Sequence, residues 1–179
     1  MVTIRPAKPS DAKAIARIHV DTWRNTYAGI LPDSYLTGLS IVERVKFWRA
    51  VLARRDRGLT VVAEDAEAGV IGFGNAGPAR RDELPKDSDW TGEIYTLYLA
   101  PDWHGQGIGR QLLEGLFDRL KRLGRTRVVL WVVEANPTRF FYEAMGGRLV
   151  ARRREPFAGI MLDELAYGWD LTATRRKSP

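Results

Sequence analysis

The sequence predicts an α/β domain with a mixed β-sheet of about seven strands flanked by about four helices, and three observations carry that expectation. β-rich runs and helix-periodic runs alternate along the chain from Thr3 to Leu171. Two neighbouring β-rich runs, 60–64 and 70–75, are separated only by turn-forming residues, which reads as an antiparallel hairpin. A long amphipathic helix then lies between two further strands, as in a crossover joining the fourth strand to the fifth.

The chain opens with a short extended run, 3–5, stopped at Pro6. Ser10 can cap a first helix with Asp11 in its first turn, and Ala12, Ile15, Ile18, His19 and Trp23 recur on one apolar face. Residues 29–32 break that helix. Ser40 and Glu43 have the spacing of a capping box, in which Ser40 reaches forward and Glu43 reaches back. Ile41, Val45, Trp48 and Leu52 supply the buried stripe of this second helix, which Gly58 can end. The hairpin follows, then a charged, proline-bounded loop over 78–88 and a third strong strand over 94–99. Ile108, Leu112, Leu116 and Leu120 mark the long helix, with Leu113 and Phe117 beside them and Gly124 near its end. The run 128–133 is apolar on both faces, as expected of a central strand. Asn136-Pro137 starts a short helix closed by Gly146-Gly147, and extended segments 148–155 and 160–171 finish the fold. Residues 1–172 are expected to form one domain and 173–179 a disordered basic tail.

Composition narrows the chemistry. A chain of 179 residues can bury a core without staples, and its apolar and charged fractions are those of a globular protein. It has no cysteine, which excludes disulfides and any acyl-cysteine intermediate. Its two histidines, His19 and His104, lie far apart in sequence, and no metal site is expected. The net charge of +6 is spread out, with its densest clusters at Arg152-Arg153-Arg154 and Arg175-Arg176-Lys177. That distribution suits a solvated surface better than a polynucleotide site, so no nucleic-acid partner is expected. No apolar run could serve as a signal peptide or span a bilayer, so a cytoplasmic location without membrane association is expected.

The run His104-Gly105-Gln106-Gly107-Ile108-Gly109-Arg110 sits between a strand and a helix. Its glycines allow close approach of backbone to ligand, and the helix start offers unpaired amides and a positive dipole end suited to a pyrophosphate. A nucleotide P-loop would need Gly-Lys-Ser/Thr where Gly109-Arg110-Gln111 stands. A dinucleotide fingerprint would need glycine at Arg110. On the loop alone, a tight turn without a ligand stays open beside a phosphate holder.

The same region closely resembles the GCN5-related N-acetyltransferase (GNAT) family, whose signature at this turn is Gln/Arg-x-x-Gly-x-Gly/Ala. Gly107 and Gly109 match it, and His104 replaces the usual Gln or Arg. A later family block, asparagine followed by a Phe-Tyr-Glu helix and Gly-Phe, is matched by Asn136, Phe141-Tyr142-Glu143 and Gly146, with Gly147 replacing phenylalanine. The resemblance implies a GNAT-like, mostly antiparallel sheet and direct transfer of an acetyl group from acetyl-CoA to a primary amine of a small molecule or peptide, in a ternary complex. It implies pantetheine alongside Leu97, Tyr98 and Leu99, with a strand amide near Leu97 or Tyr98 polarising the thioester carbonyl. The pyrophosphate would rest on Gln106, Gly107, Ile108, Gly109 and Arg110, with Gly105 in the approach and Asn136 on the pantetheine arm. Tyr142 would be the general acid. Glu93, which opens the cofactor strand, is the leading general base, with Glu134 and Asp163 behind it; a strand-edge carboxylate in solvent is the equal alternative for Glu93. Glu143 is expected to face water and His19 to be a core histidine. Trp23, Tyr27, Tyr95 and Trp131 fit an acceptor pocket and a core equally well. A non-catalytic acyl-CoA-binding or sensing domain is the alternative function, and both monomer and homodimer are open.

Overall fold

In the computed structural model, which describes residues 1–54, 59–80, 84 and 88–172, the strands follow in the expected order. They are β1 (Val2–Pro6), β2 (Leu59–Asp65), β3 (Gly69–Pro78), β4 (Gly92–Leu99), β5 (Arg127–Val133), β6 (Arg148–Phe157) and β7 (Ile160–Asp170). The helices are α1 (Ala12–Thr26), α2 (Asp33–Thr37), α3 (Ile41–Ala53), α4 (Ile108–Arg122) and α5 (Arg139–Ala144). The strands form one sheet in the order β1-β2-β3-β4-β5-β7-β6. Only β4 and β5 run parallel, and α4 is the crossover between them. The expected helix end at Gly58 and the expected tail, 173–179, lie outside the described residues.

Local details differ from expectation where side chains have better partners. Ser10 does not cap α1. Residues Pro9–Asp11 form a 3₁₀ turn instead, and the Asp11 carboxylate accepts the Lys8 backbone N–H at 2.7 Å and the Arg5 guanidinium at 2.8 Å. At α3 the Ser40 hydroxyl accepts the Glu43 N–H at 3.3 Å, but the Glu43 carboxylate pairs with Lys46 rather than reaching back. Helix α2 was not expected: five residues are too few for periodicity to show. The β6–β7 turn places Ala158 at φ 50° beside Gly159 at φ 82°, so a side chain occupies a left-handed position.

Helix α4 lays Leu112, Leu113, Leu116, Phe117 and Leu120 onto one face of the sheet, all buried. Complete burial of each such side chain contributes roughly 1.5–3 kcal/mol. Gly74 in β3 permits this approach, because a Cβ there would stand 2.6 Å from Leu116 Cδ1. The opposite face is covered by α1 and α3, with Ile15, Ala16 and Trp48 against Val62 and Phe73. His19 is buried in this layer, as expected, and its Nδ1 accepts the Trp48 indole N–H at 3.2 Å.

One irregularity positions the site. Asn75 pairs with Thr96 but Ala76 pairs with Ile94, so Tyr95 is an extra residue bulging from β4. The bulge turns β4 away from β5, and their pairing stops at Ile94 and Leu130. Beyond that point β5 continues to Val133 against β7. The remainder of β4 keeps only β3 as a neighbour.

Candidate active site

The splay between β4 and β5 opens a cleft of about 480 Å³. One wall is residues 95–99 of β4 and the other is residues 130–132 of β5. The loop before α4, the start of α5 and the end of α1 close the remaining sides. Backbone groups on the β5 side of residues 95–99 have no strand partner, so this edge can receive an extended chain with amides of its own. Among the described residues the lining holds no carboxylate, and Arg110 is its one permanently charged side chain.

The phosphate-holder geometry rests on Gly107 and α4. Gly107 sits at φ 76°, a conformation that glycine adopts without strain, and turns the chain into the helix. The Gln111 N–H bonding to Gly107 O is the first bond of the helical ladder. The amides of Ile108, Gly109 and Arg110 therefore lie in the open first turn, at the positive end of the helix dipole. Gly105, Gly107, Ile108, Gly109 and Arg110 all line the cleft. Gln106 does not: its side-chain amide donates to Asp102 O at 3.3 Å. His104 Nε2 meets Leu99 O at 3.0 Å, so the histidine that departs from the family signature ties the loop to the end of β4.

Leu97, Tyr98, Leu99, Asn136 and Tyr142 also meet at this cleft. Asn136 is buried, and its side-chain oxygen accepts the Thr138 N–H at 2.9 Å; burial raises the pKa of the Tyr27 phenol and the Asn136 side chain lowers it. Tyr142 is buried, its ring packs near Tyr167 and Trp169, and its hydroxyl makes no hydrogen bond to another described residue. Burial, reinforced by the nearby Tyr27, raises the Tyr142 pKa well above the usual phenol range, so this hydroxyl keeps its proton at neutral pH. The Tyr98 hydroxyl accepts the Trp23 indole N–H at 2.9 Å, and burial raises its pKa as well.

Glu93 is placed elsewhere, neither at the cleft nor in solvent. It is fully buried on the sheet face away from α4, accepts the Arg80 backbone N–H at 2.9 Å and is ion-paired with the Arg80 guanidinium. That guanidinium also lies 5.4 Å from the centre of the Tyr95 ring. Through these contacts Glu93 holds the chain after β3 and, by way of Arg80, meets the ring of Tyr95 at the bulge. Glu134 is paired with Arg152, and Asp163 with Arg154, both at exposed positions. Glu143 accepts the Tyr167 hydroxyl and pairs with Arg139.

Several cleft residues escaped the sequence reading. Thr22 and Thr26 enter from α1, and Thr96 and Trp131 from the two splayed strands, with only Trp131 noted as a candidate. Thr96 Oγ1 and Trp131 Nε1 are buried with no hydrogen-bond partner among the described residues. Buried polar groups of that kind are satisfied by water or by a bound molecule. Together with the free strand edge and open helix turn, they fit an extended, amide-bearing, phosphorylated ligand. Among the described residues no group of acids, histidines and cysteines could hold a metal ion, and no helix is long and apolar enough to cross a membrane.

Known proteins resemble this chain in sequence and in fold. The uncharacterized N-acetyltransferase YuaI of Bacillus subtilis is 39% identical over 176 residues, covering 98% of this chain and 97% of its own. The PaiA N-acetyltransferase from Thermoplasma acidophilum, solved in complex with coenzyme A, superposes with a TM-score of 0.69 at 22% identity, over 92% of this chain and 98% of that one. YncA from Salmonella typhimurium, solved with its cofactor acetyl-CoA, gives 0.70 at 22% identity, over 100% and 98%. The profile of the acetyltransferase (GNAT) family matches residues 15–146, and the chain belongs to that family.

Proposed function

We propose that this protein is an acetyl-CoA-dependent N-acetyltransferase, acting on a primary amine of a small molecule or peptide by direct attack in a ternary complex. The observation that carries the reading is one cleft uniting the free edge of β4, the open first turn of α4 and the Tyr142 hydroxyl. The absence of cysteine supports direct transfer over an acyl-cysteine route. Residues 1–172 act as one domain in this reading, and a cytoplasmic location is proposed with it.

Acetyl-CoA supplies an acetyl thioester, whose sulfur leaves as a thiolate. The amides of Ile108, Gly109 and Arg110 would hold its diphosphate, aided by the Arg110 guanidinium. The β4 edge at Leu97, Tyr98 and Leu99 would receive the pantetheine arm, with Asn136 on its other side. A β4 amide at Leu97 or Tyr98 would donate to the carbonyl oxygen as charge develops there. The Tyr142 hydroxyl, kept protonated by its burial, would give its proton to the departing sulfur, and the proton shed by the acylated nitrogen would restore the phenol by way of water.

The test is direct. Acetyl-CoA should raise the melting temperature of the purified protein and slow amide exchange over residues 105–110. A broad amine panel should then contain acceptors that release CoA thiol. A protein neither stabilised nor protected by acetyl-CoA would overturn the reading. Stabilisation without thiol release from any amine would favour the non-catalytic alternative.

A further inference from the structure

Among the described residues, two of the Arg–Glu pairs on the sheet face away from α4 hold a guanidinium over an aromatic ring that lines the cleft. Arg80, paired with Glu93, is over Tyr95; Arg153, paired with Glu164, is over Trp131 at 4.2 Å. The sheet register explains the second pair. Arg153 of β6, Glu164 of β7 and Val133 of β5 are in one row, and the row of Ala151, Ala166 and Trp131 lies two residues along, on the same face. Leu165 and Tyr167 pack into the α4 core, so Glu164 projects to the opposite side, with Trp131.

The two carboxylates differ in access. Glu93 is sealed beneath Arg80 with both oxygens engaged. Glu164 is 19% exposed, accepts the Arg153 Nε–H at 2.7 Å through Oε2, and leaves Oε1 without a hydrogen bond to a described residue. In the sheet it pairs with Val133, the residue after the cleft-lining Trp131 and Val132 of β5. The Tyr27 phenol, raised mainly by burial and lowered by the Asn136 side chain, is raised further by the negative charge of Glu164. The other acids near these strand ends, Glu134 and Asp163, are engaged by Arg152 and Arg154.

We infer that Glu164 is the acceptor-recognising carboxylate: the ammonium of the incoming amine docks on its open oxygen at the cleft mouth, with its apolar body against Trp131 and Tyr27. Arg153 holds only Oε2 of Glu164, and as a cation it competes with the acceptor for the same carboxylate. This rests on the reading of the cleft as an acetyl-CoA site. The acceptor class is a primary amine carried on an apolar or aromatic skeleton.

Three probes of nearly equal shape test it: 2-phenylethylamine, 2-phenylethanol and phenylacetate, titrated calorimetrically into protein saturated with CoA. Failure of CoA itself to bind would overturn the cofactor reading and is seen before any probe is added. With CoA bound, the amine should bind roughly fivefold to tenfold tighter than the alcohol, and the acid weakest. Glu164→Gln should abolish the preference for the amine. Arg153→Gln should widen it, by removing the competing cation. Glu93→Gln should leave it unchanged. A merely structural pair would weaken all probes alike in both variants. Equal binding of amine and alcohol to the wild type would overturn the inference. So would shifts in the same direction for Glu164→Gln and Arg153→Gln, or loss of the preference in Glu93→Gln. Should Glu164→Gln not fold, the widened preference in Arg153→Gln still decides the question.

Discussion

Mild acid should destabilise this protein through His19. The ring is 5% exposed, surrounded by Trp23, Trp48, Phe73 and Tyr98, and its Nε2 has no hydrogen-bond partner among the described residues. Burial, assisted by the charge of Arg44, lowers its pKa from 6.5 to about 3. The unfolded chain thus binds a proton that the folded chain refuses. Stability is full above about pH 6.5 and falls as the pH drops toward the folded value. Between pH 7 and pH 5 the loss is about 2 kcal/mol, set almost wholly by the unfolded histidine because the folded one stays neutral throughout. The carboxylates with lowered pKa values, Asp11, Glu64, Asp65 and Asp170, lose their contributions only near and below the ordinary carboxylate range of about 4. Those carboxylates therefore act below the window from pH 7 to pH 5, and comparison with a variant lacking His19 reads the histidine's part. Urea unfolding followed by tryptophan fluorescence reads the effect. With a slope of about 2 kcal/mol per molar urea, the midpoint should fall by about 1 M across the window. His19→Gln keeps an acceptor for the Trp48 indole and removes the titration, so its midpoint should move much less. A wild-type midpoint constant from pH 7 to pH 5, or a His19→Gln midpoint that falls as steeply, would refute the reasoning.

Tyr142→Phe should lower turnover about 10²–10⁴-fold while the acetyl-CoA dissociation constant, measured by calorimetry, stays within about twofold. Glu93→Gln should cost roughly 1.5–3 kcal/mol of unfolding free energy, through lost charge-assisted bonds to Arg80, yet leave the shape of the pH–rate profile intact. Loss of one limb of that profile would mark Glu93 as the general base. Ala158→Asn should relieve strain at φ 50° and complete an Asn-Gly turn, adding about 0.5–1 kcal/mol and raising the melting temperature by roughly 1–4 °C.

The order of elements was legible because periodicity reports burial, and burial made these elements. The α4 stripe from Ile108 to Leu120 and the hairpin of β2 and β3 are cases where local pattern and tertiary role coincide. The splay that makes the cleft was also written in the chain, though less plainly. Ile94, Leu97 and Leu99 all pack into the α4 core, and the step of three from Ile94 to Leu97 cannot fit a regular strand of period two. That offset is the bulge at Tyr95. The placement of Glu93 was not legible, because its partner Arg80 lies in a different segment, brought alongside only by the pairing of β3 with β4. Thr96 was missed for a related reason: a lone hydroxyl on a strand has no pattern, and only the splay leaves it unpartnered.

Both proposals depend on one electrostatic property of the cleft. Its lining offers neutral hydroxyls, aromatic rings and backbone, with Arg110 as its permanent charge and no carboxylate among the described residues. A cationic amine moving into such surroundings loses hydration without gaining a counter-charge, which lowers its pKa and favours release of the proton. The neutral amine that results is the nucleophile that direct transfer requires. The same surroundings favour the neutral phenol of Tyr142, so one apolar environment prepares both the attacking nitrogen and the acid that meets the departing sulfur. A carboxylate inside the cleft would work against this by stabilising the ammonium where it must be shed. At the rim, beside Trp131 and outside the lining, Glu164 can attract the cation without holding it charged at the point of attack. Placing a carboxylate on the wall itself, as in Thr26→Glu, should therefore tighten binding of 2-phenylethylamine to the CoA complex while slowing acetyl transfer to amines. Faster transfer in that variant would contradict the argument.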